Sequence, residues 1–374
     1  MSILLRGPIH GVESPDSAVF VDDGQISWVG RGKAPARADL ELIAKPGELI
    51  APGFVDLQVN GFRGHDAASG AEGVAAISQL LPAHGVTSFL PTLISRPLDE
   101  ACRFVEGVRS ASGPGARVLG AHLEGPFLNP DFRGAHEAGA LLEPTRQRID
   151  QLLAFAPRMI TLAPELPGAL EAIARLSSAG VIVAAGHSGA DYEEGERAIA
   201  AGVRFGTHLY NAMREFHHRR PGLVGALLID ERATVGLIAD GEHLHDATCE
   251  QVLQLKSPER VALTTDQTAA AGAPAGHYSL GGRDVISDGR AVRLEDGTLA
   301  GSVATMDELV RRTARLPGMS PHDAITMAST SPADVLGDDR LGRLRPRALA
   351  DIIILDQDLQ VRLTIIGGRV VFQR

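Results

Sequence analysis

Two hydrophobic rhythms run along this chain of 374 residues. From Ser2 to about Leu49, short apolar runs alternate with turn signals. Ala18-Val19-Phe20-Val21 is followed by Asp22-Asp23-Gly24 and then by Ile26-Ser27-Trp28-Val29, which predicts a hairpin. From Gly53 the rhythm changes to strand, loop, helix, repeated. Eight apolar runs predict strands over residues 54–59, 86–90, 118–124, 159–163, 181–186, 205–209, 234–239 and 261–265. Between most of them apolar residues recur at helical spacing. Val74, Ile77, Leu80 and Leu81 share a face ahead of Gly85, and Ala169, Ile173 and Leu176 do so ahead of Gly180. Eight strands alternating with helices predict a (β/α)8, TIM-like barrel; a doubly wound open sheet is the alternative and usually has fewer strands.

After the eighth run the chain makes a detour. Residues 272–282 are rich in Gly, Ala and Pro and read as a loop. Residues 284–299 read as one or two short hairpins turning at Asp288-Gly289 and Asp296-Gly297, and helices return over 306–313 and 322–328. The tail is strand-like over 350–356, 363–366 and 370–372. The chain ends are therefore expected to pair. Residues 1–51 with 341–374 are expected to make a small flanking β-sandwich domain, and 52–340 the barrel.

Composition narrows the function. A hydrophobic fraction of 44% permits a large core, and a formal net charge of −10 argues against nucleic-acid binding through a basic surface. An anionic substrate must then be met by a local cluster of arginines. Cys102 and Cys249 each fall in a stretch that reads as helix, as small core residues of a cytoplasmic protein do, so no disulfide is expected. The N-terminal MSILLRGPIHG lacks a basic region followed by a long apolar run, so no signal peptide is expected, and no run reaches the ~20 residues that span a bilayer.

The chemistry gathers at strand ends. The third run closes on Glu124, followed by a Gly-Pro break, and later runs end at His187, His208 and Asp266. Asp56 and Gln58 lie on the first, and Asp240 and His243 follow the seventh. In a barrel these side chains converge on one mouth. One carboxylate and two imidazoles, Glu124, His187 and His208, are a common ligand set for zinc with one position left open. A carboxylate such as Asp266 beside that site can take a proton from an attacking water and deliver it to a leaving amine; a further metal ligand or a helix cap are its other readings. His136 and His243 lie in glycine-containing loops, as substrate contacts or as exposed loop histidines.

At these residues the sequence resembles the N-acetylglucosamine-6-phosphate deacetylases of the amidohydrolase superfamily. The resemblance rests on PGFVDLQVNG from Pro52, HLEGPFLN from His122, GHS from Gly186, THLYNAM from Thr207, ADGEH from Ala239, Thr265-Asp266 and LAGS from Leu299, in that order. It implies hydrolysis of an acetamide, with Glu124, His187 and His208 on the metal and Asp266 as general base and acid. It places His136 at the acetyl carbonyl and His243 at the sugar. It implies that the backbone at Asn211 and Ala212 and the side chain of Arg219 meet the phosphate, and that Ala135, Leu299, Ala300 and Gly301 line the sugar site. The arginine ahead of Pro221-Gly222 acts in the family on the neighbouring subunit, which implies a homodimer, with Arg219 in that role and Arg220 the fallback. Gln267 and Thr268 depart from the small or apolar residues usual after the base.

Many amidohydrolases hold two metals with a His-x-His on strand one and a carboxylated lysine on strand four. Gln58 and Asn60 stand where that histidine pair would fall, and Lys33, Lys45 and Lys256, the only lysines, lie off strand four. One divalent metal per subunit, zinc, is therefore expected. Another amidase or deaminase of the superfamily, or a deacetylase of a related N-acetylated amino-sugar phosphate, is the alternative.

Overall fold

Strand one, Phe54–Val59, is buried at every position, as a strand covered on both faces must be. The computed structural model describes residues 2–12, 14–111 and 113–374; Met1 and Glu13, in the expected N-terminal β stretch, and Ser112 lie outside them. Strand one pairs in parallel with strand two, Val86–Ile94. The ladder continues in chain order through strand three His122–Glu124, strand four Met159–Leu162, strand five Ile182–Ala185, strand six Val203–Gly206, strand seven Thr234–Leu237 and strand eight Val261–Leu263. Every pairing along it is parallel. The sheet nearly closes: Asn60 N donates to Gln267 O and Asp266 N donates to Gln58 O, which ties the end of strand eight to strand one. With helices packed between strands, this is the expected (β/α)8 barrel.

Boundaries shift where the backbone overrides the apolar pattern. Strand two runs past Pro91 to Ile94, because Pro91 falls beside a bulge in strand one where the ladder is already interrupted. The third run splits into Arg117–Val118 and His122–Glu124, with Gly120 between them at φ 123°. Strand six stops at Gly206 because the next residues turn, with His208 at φ 29°. Half of the expected loop 272–282 is a strand: Gly276–Leu280 pairs with Arg283–Ser287 across Gly281-Gly282, both at positive φ as such a tight turn requires. The helices Ala71–Leu80 and Ala169–Ser178 form as expected, and a helix at Thr330–Leu336, unforeseen, packs Ala333 and Leu336 against barrel residues Val55, Leu57 and Phe205.

The chain ends form two four-stranded sheets. One contains Ile3–Arg6, Ser17–Asp22, Gln25–Arg31 and Leu40–Ile43; the other contains Leu49–Pro52, Ile352–Leu355, Val361–Ile366 and Arg369–Gln373. Ile3, Leu5, Val19 and Val21 from the first and Ile50, Ile352, Leu363 and Ile365 from the second share one core, as a sandwich does. Cys102 and Cys249 are buried and unpaired. Among the described residues no helix is long and apolar enough to cross a membrane.

Candidate metal centre and catalytic cavity

Three of the four strand ends aim their polar residue with the same backbone device. Glu124 is the last residue of strand three and needs none. His187, His208 and Asp266 lie two or three residues past their strands at φ 50°, 29° and 48°. That left-handed region is costly for residues with a Cβ and tends to persist where the surrounding structure demands it, often at functional sites. Here it turns three side chains inward over the same mouth.

There His208 Nε2 lies 2.8 Å and His187 Nε2 3.1 Å from Glu124 Oε1, and the two ring nitrogens are 3.1 Å apart. All three residues are buried. His187 Nδ1 is 2.9 Å from the carbonyl of Phe132, which can only accept, so Nδ1 carries the proton and Nε2 keeps its lone pair. His208 Nδ1 is buried without a partner. A carboxylate oxygen and two ring nitrogens within 3.1 Å of one another suit a divalent cation of the zinc type. A second trio, Glu124, His136 and His187, also has its donor atoms within 4.8 Å of one another. His136 is the looser member, its Nε2 being 3.7 Å from Glu124 Oε2.

Burial and charge oppose each other here. Burial pushes the Glu124 carboxyl up, but the neighbouring imidazoles of His136, His187 and His208 prevail and hold it well below its ordinary value. Burial drives His187 down to about 4, helped by neighbouring His136. At His208 burial pulls down, and the bond and charge of Glu124 win and raise it. Asp266 is lifted to about 7, first by burial and then by the charge of Glu124.

The amides of strand one face these acids. Gln58 Nε2 donates to Glu124 Oε1 at 3.0 Å, and Asn60 Nδ2 donates to Asp266 Oδ1 at 2.7 Å. Where a histidine pair would fall on strand one, the chain thus places amides that donate to Glu124 and Asp266. No lysine lies on strand four, whose residues are Met-Ile-Thr-Leu.

A cavity of about 310 Å³ opens over this centre. Glu124, His187, His208, Asp266, His136 and Ala135 line it, with Asn211, Ala212, His243, Leu299 and Gly301. Ala300 is not on this wall and packs instead with Leu280 and Val292. Arg219 is elsewhere, exposed, in a separate cavity with Asp191, Tyr192, Arg214 and Arg220. Among the described residues no arginine or lysine lines the cavity over the centre. His243 Nδ1 is 2.7 Å from Asp240 Oδ2, so its ring is steered by a carboxylate. Sequence reasoning missed Ile94, Asp131, Phe132, Leu280 and Thr298 on the wall, and Ser95 behind it. Ile94 and Ser95 were hidden because the second run was read as ending ahead of Pro91. Leu280 lay in the stretch taken for a loop.

A family model described as "Amidohydrolase family" matches residues 49–371. The chain is 40% identical over 330 residues to an N-acetylgalactosamine-6-phosphate deacetylase of Escherichia coli O157:H7, covering 86% of this chain and 87% of that one. It is 39% identical over 345 residues to an N-acetylglucosamine-6-phosphate deacetylase of Bos taurus, covering 87% and 84%. Among solved structures it is similar to a variant N-acetyl-D-glucosamine-6-phosphate deacetylase of Mycobacterium smegmatis in complex with N-acetyl-D-glucosamine-6-phosphate, with a TM-score of 0.91, 34% identity and coverage of 100% and 99%. A deacetylase structure from Pasteurella multocida gives a TM-score of 0.93 at 27% identity, covering 99% of both chains.

Proposed function

This chain belongs to the amidohydrolase family, and from that premise we propose that it hydrolyses the acetamide of N-acetylglucosamine 6-phosphate to glucosamine 6-phosphate and acetate. The observation that carries the reading is the convergence of Glu124, His187 and His208 beside Asp266 under a sugar-sized cavity. Glu124, His187 and His208 hold one divalent ion, zinc, in this reading. When bound, that ion is a Lewis acid that polarises the amide carbonyl and acidifies the attacking water. Asp266 Oδ1 is occupied by Asn60, which leaves Oδ2 to take the proton of the water and pass it to the departing nitrogen. The water oxygen joins the carbonyl carbon, the C–N bond breaks, and the amine leaves protonated. His136 steadies the carbonyl oxygen, and His243 meets the sugar, with Ala135, Leu299, Ala300 and Gly301 shaping that side. The backbone of Asn211 and Ala212 receives the phosphate.

The positive charge for the phosphate comes from Arg219 of a second copy, in a homodimer. The absence of any arginine or lysine from the cavity wall among the described residues supports this, as does the exposed position of Arg219. Cytoplasmic location fits the two unpaired cysteines. The division into residues 1–51 with 341–374 and the barrel 52–340 is supported by the pairing of Leu49–Pro52 with Ile352–Leu355.

A second reading has one specific support: the 40% identity to an enzyme named for the galactosamine epimer. Acetate release from both sugar phosphates, measured beside metal content, tests the proposal. Wild type should carry about one metal per chain and favour the glucosamine epimer. His208→Ala should lose metal and activity, and Asp266→Asn should keep the metal and lose about 10²–10⁴ in rate. Two metals per chain, or near-normal turnover by Asp266→Asn, would refute the mechanism. Faster release from the galactosamine epimer would replace the substrate.

A further inference from the structure

His136 is buried, and its Nδ1 lies 3.0 Å from the main-chain nitrogen of Ser95 and 2.8 Å from Ser95 Oγ. A main-chain N–H has only a proton to offer. An imidazole protonated at Nδ1 would set two N–H groups head to head, so Nδ1 must present its lone pair and the ring proton sits on Nε2. His187 and His243 are the reverse. Their Nδ1 atoms face pure acceptors, the Phe132 carbonyl at 2.9 Å and the Asp240 carboxylate at 2.7 Å, so each is protonated at Nδ1. When neutral, each turns a bare Nε2 outward.

We propose that Ser95 is a positioning residue that fixes His136 as its Nε2–H tautomer. His136 is thereby a hydrogen-bond donor to the amide carbonyl and is kept out of the metal shell, although its atoms lie near enough to compete for it. The proposal rests on the deacetylase reading for the identity of that carbonyl. The serine is itself confined. A Cβ at Gly125, which has φ 91°, would come within 2.2 Å of Ser95 Oγ, so the hydroxyl is walled in by the main chain just after Glu124. Its other neighbour is the Glu124 carbonyl at 3.4 Å. One serine thus connects the end of strand two, the ligand-bearing end of strand three and the His136 loop. Metal binding needs a lone pair on Nε2, and stabilising a carbonyl oxygen as charge develops needs a proton there. The tautomer decides between those roles.

The test is a long-range ¹H–¹⁵N spectrum of the zinc-loaded, ¹⁵N-histidine-labelled enzyme, with His136 assigned by its loss in His136→Gln. The expected result is a protonated Nε2 and a bare Nδ1 on that ring. A proton on Nδ1, or a metal-shifted Nε2, would overturn the proposal. In Ser95→Ala the main-chain donor stays, so the tautomer should hold while the Nδ1 resonance moves; an unmoved resonance would remove the Ser95 hydroxyl from the account and leave its main-chain N–H as the sole determinant. His136→Gln should retain the full metal content of wild type, and loss of the metal would make His136 a ligand. The spectrum needs no substrate, so its outcome is separate from that of the acetate assay.

Discussion

Asp56 sits fully buried at the seam between strands eight and one, where Thr265 Oγ1 donates to its Oδ2 at 2.6 Å and Gln58 N donates to its Oδ1 at 3.2 Å. Burial raises its carboxyl from 3.8 to about 7, against these bonds, and the charge of Asp266 adds to the rise. The unfolded chain releases this proton near 3.8, the folded chain near 7. Between those values the folded state binds more protons, so this group's contribution to stability falls as pH rises through the window and levels off above it. Asp56→Asn should remove that slope. Its amide keeps the shape, and Thr265 Oγ1 can turn its proton to Gln58 O at 3.3 Å. Thermal unfolding at pH 5 and pH 8 should show wild type losing more stability than the variant; equal losses would mean that Asp56 is ionised throughout. Such a residue also shows what the sequence could tell. Glu124, His187, His208 and Asp266 were legible because each follows an apolar run, and topology alone sends those ends to one mouth. The ring state of His136 was not, because the group that sets it is 41 residues away and its approach depends on strand two outlasting a proline.

The small sheet inserted after strand eight does at the scale of an element what no single residue does: it walls one side of the cavity at the barrel mouth. Leu280, at the end of its first strand, lines the cavity, as do Thr298 and Leu299, a few residues beyond its third strand, Val292–Arg293. It is pinned at two points. Asp66 Oδ2 accepts from Ser279 Oγ and Gly281 N, both at 2.9 Å, and Arg283 donates to the carbonyl of Ala135 at 2.6 Å. Neither pin touches the centre, so loosening one should weaken ground state and transition state alike. Arg283→Met keeps the packing stem and loses the bond. It should raise KM by up to about tenfold, the equivalent of about 1.4 kcal/mol, and leave kcat within about twofold. Steady-state kinetics decide: a kcat that falls as far as kcat/KM would put the sheet among the parts that act on the transition state. This element was half legible. The turn at Asp288-Gly289 was evident, but His277, Tyr278 and Ser279 carry no apolar alternation, and a two-glycine turn between polar strands looks like a loop. The barrel strands were legible because burial on both faces leaves continuous apolar runs.

Taken whole, the molecule carries a formal charge of −10 and a cavity without an arginine or lysine on its described wall. If Arg219 completes the neighbouring site, mixing Arg219→Ala with Asp266→Asn under subunit exchange should restore activity. The Arg219→Ala chain keeps its own Asp266 and receives Arg219 from its partner. Each parent alone should stay weak, and a mixture no better than its parents would mean that Arg219 serves its own chain. The strands at both chain ends were legible as apolar runs, but not which strand of one end pairs with which of the other, since register over that distance leaves no local mark. That register has a consequence for synthesis. Pro52 pairs with Ile352, 300 residues later. At the usual ~5–20 residues per second, the strand Leu49–Pro52 waits roughly 15–60 s after leaving the ribosome before its partner exists. Through that interval the barrel has time to assemble, while an apolar strand edge stays open to any other chain. The sandwich is the last part to close, and the newborn protein is most exposed to mispairing at the end farthest in time from its own completion.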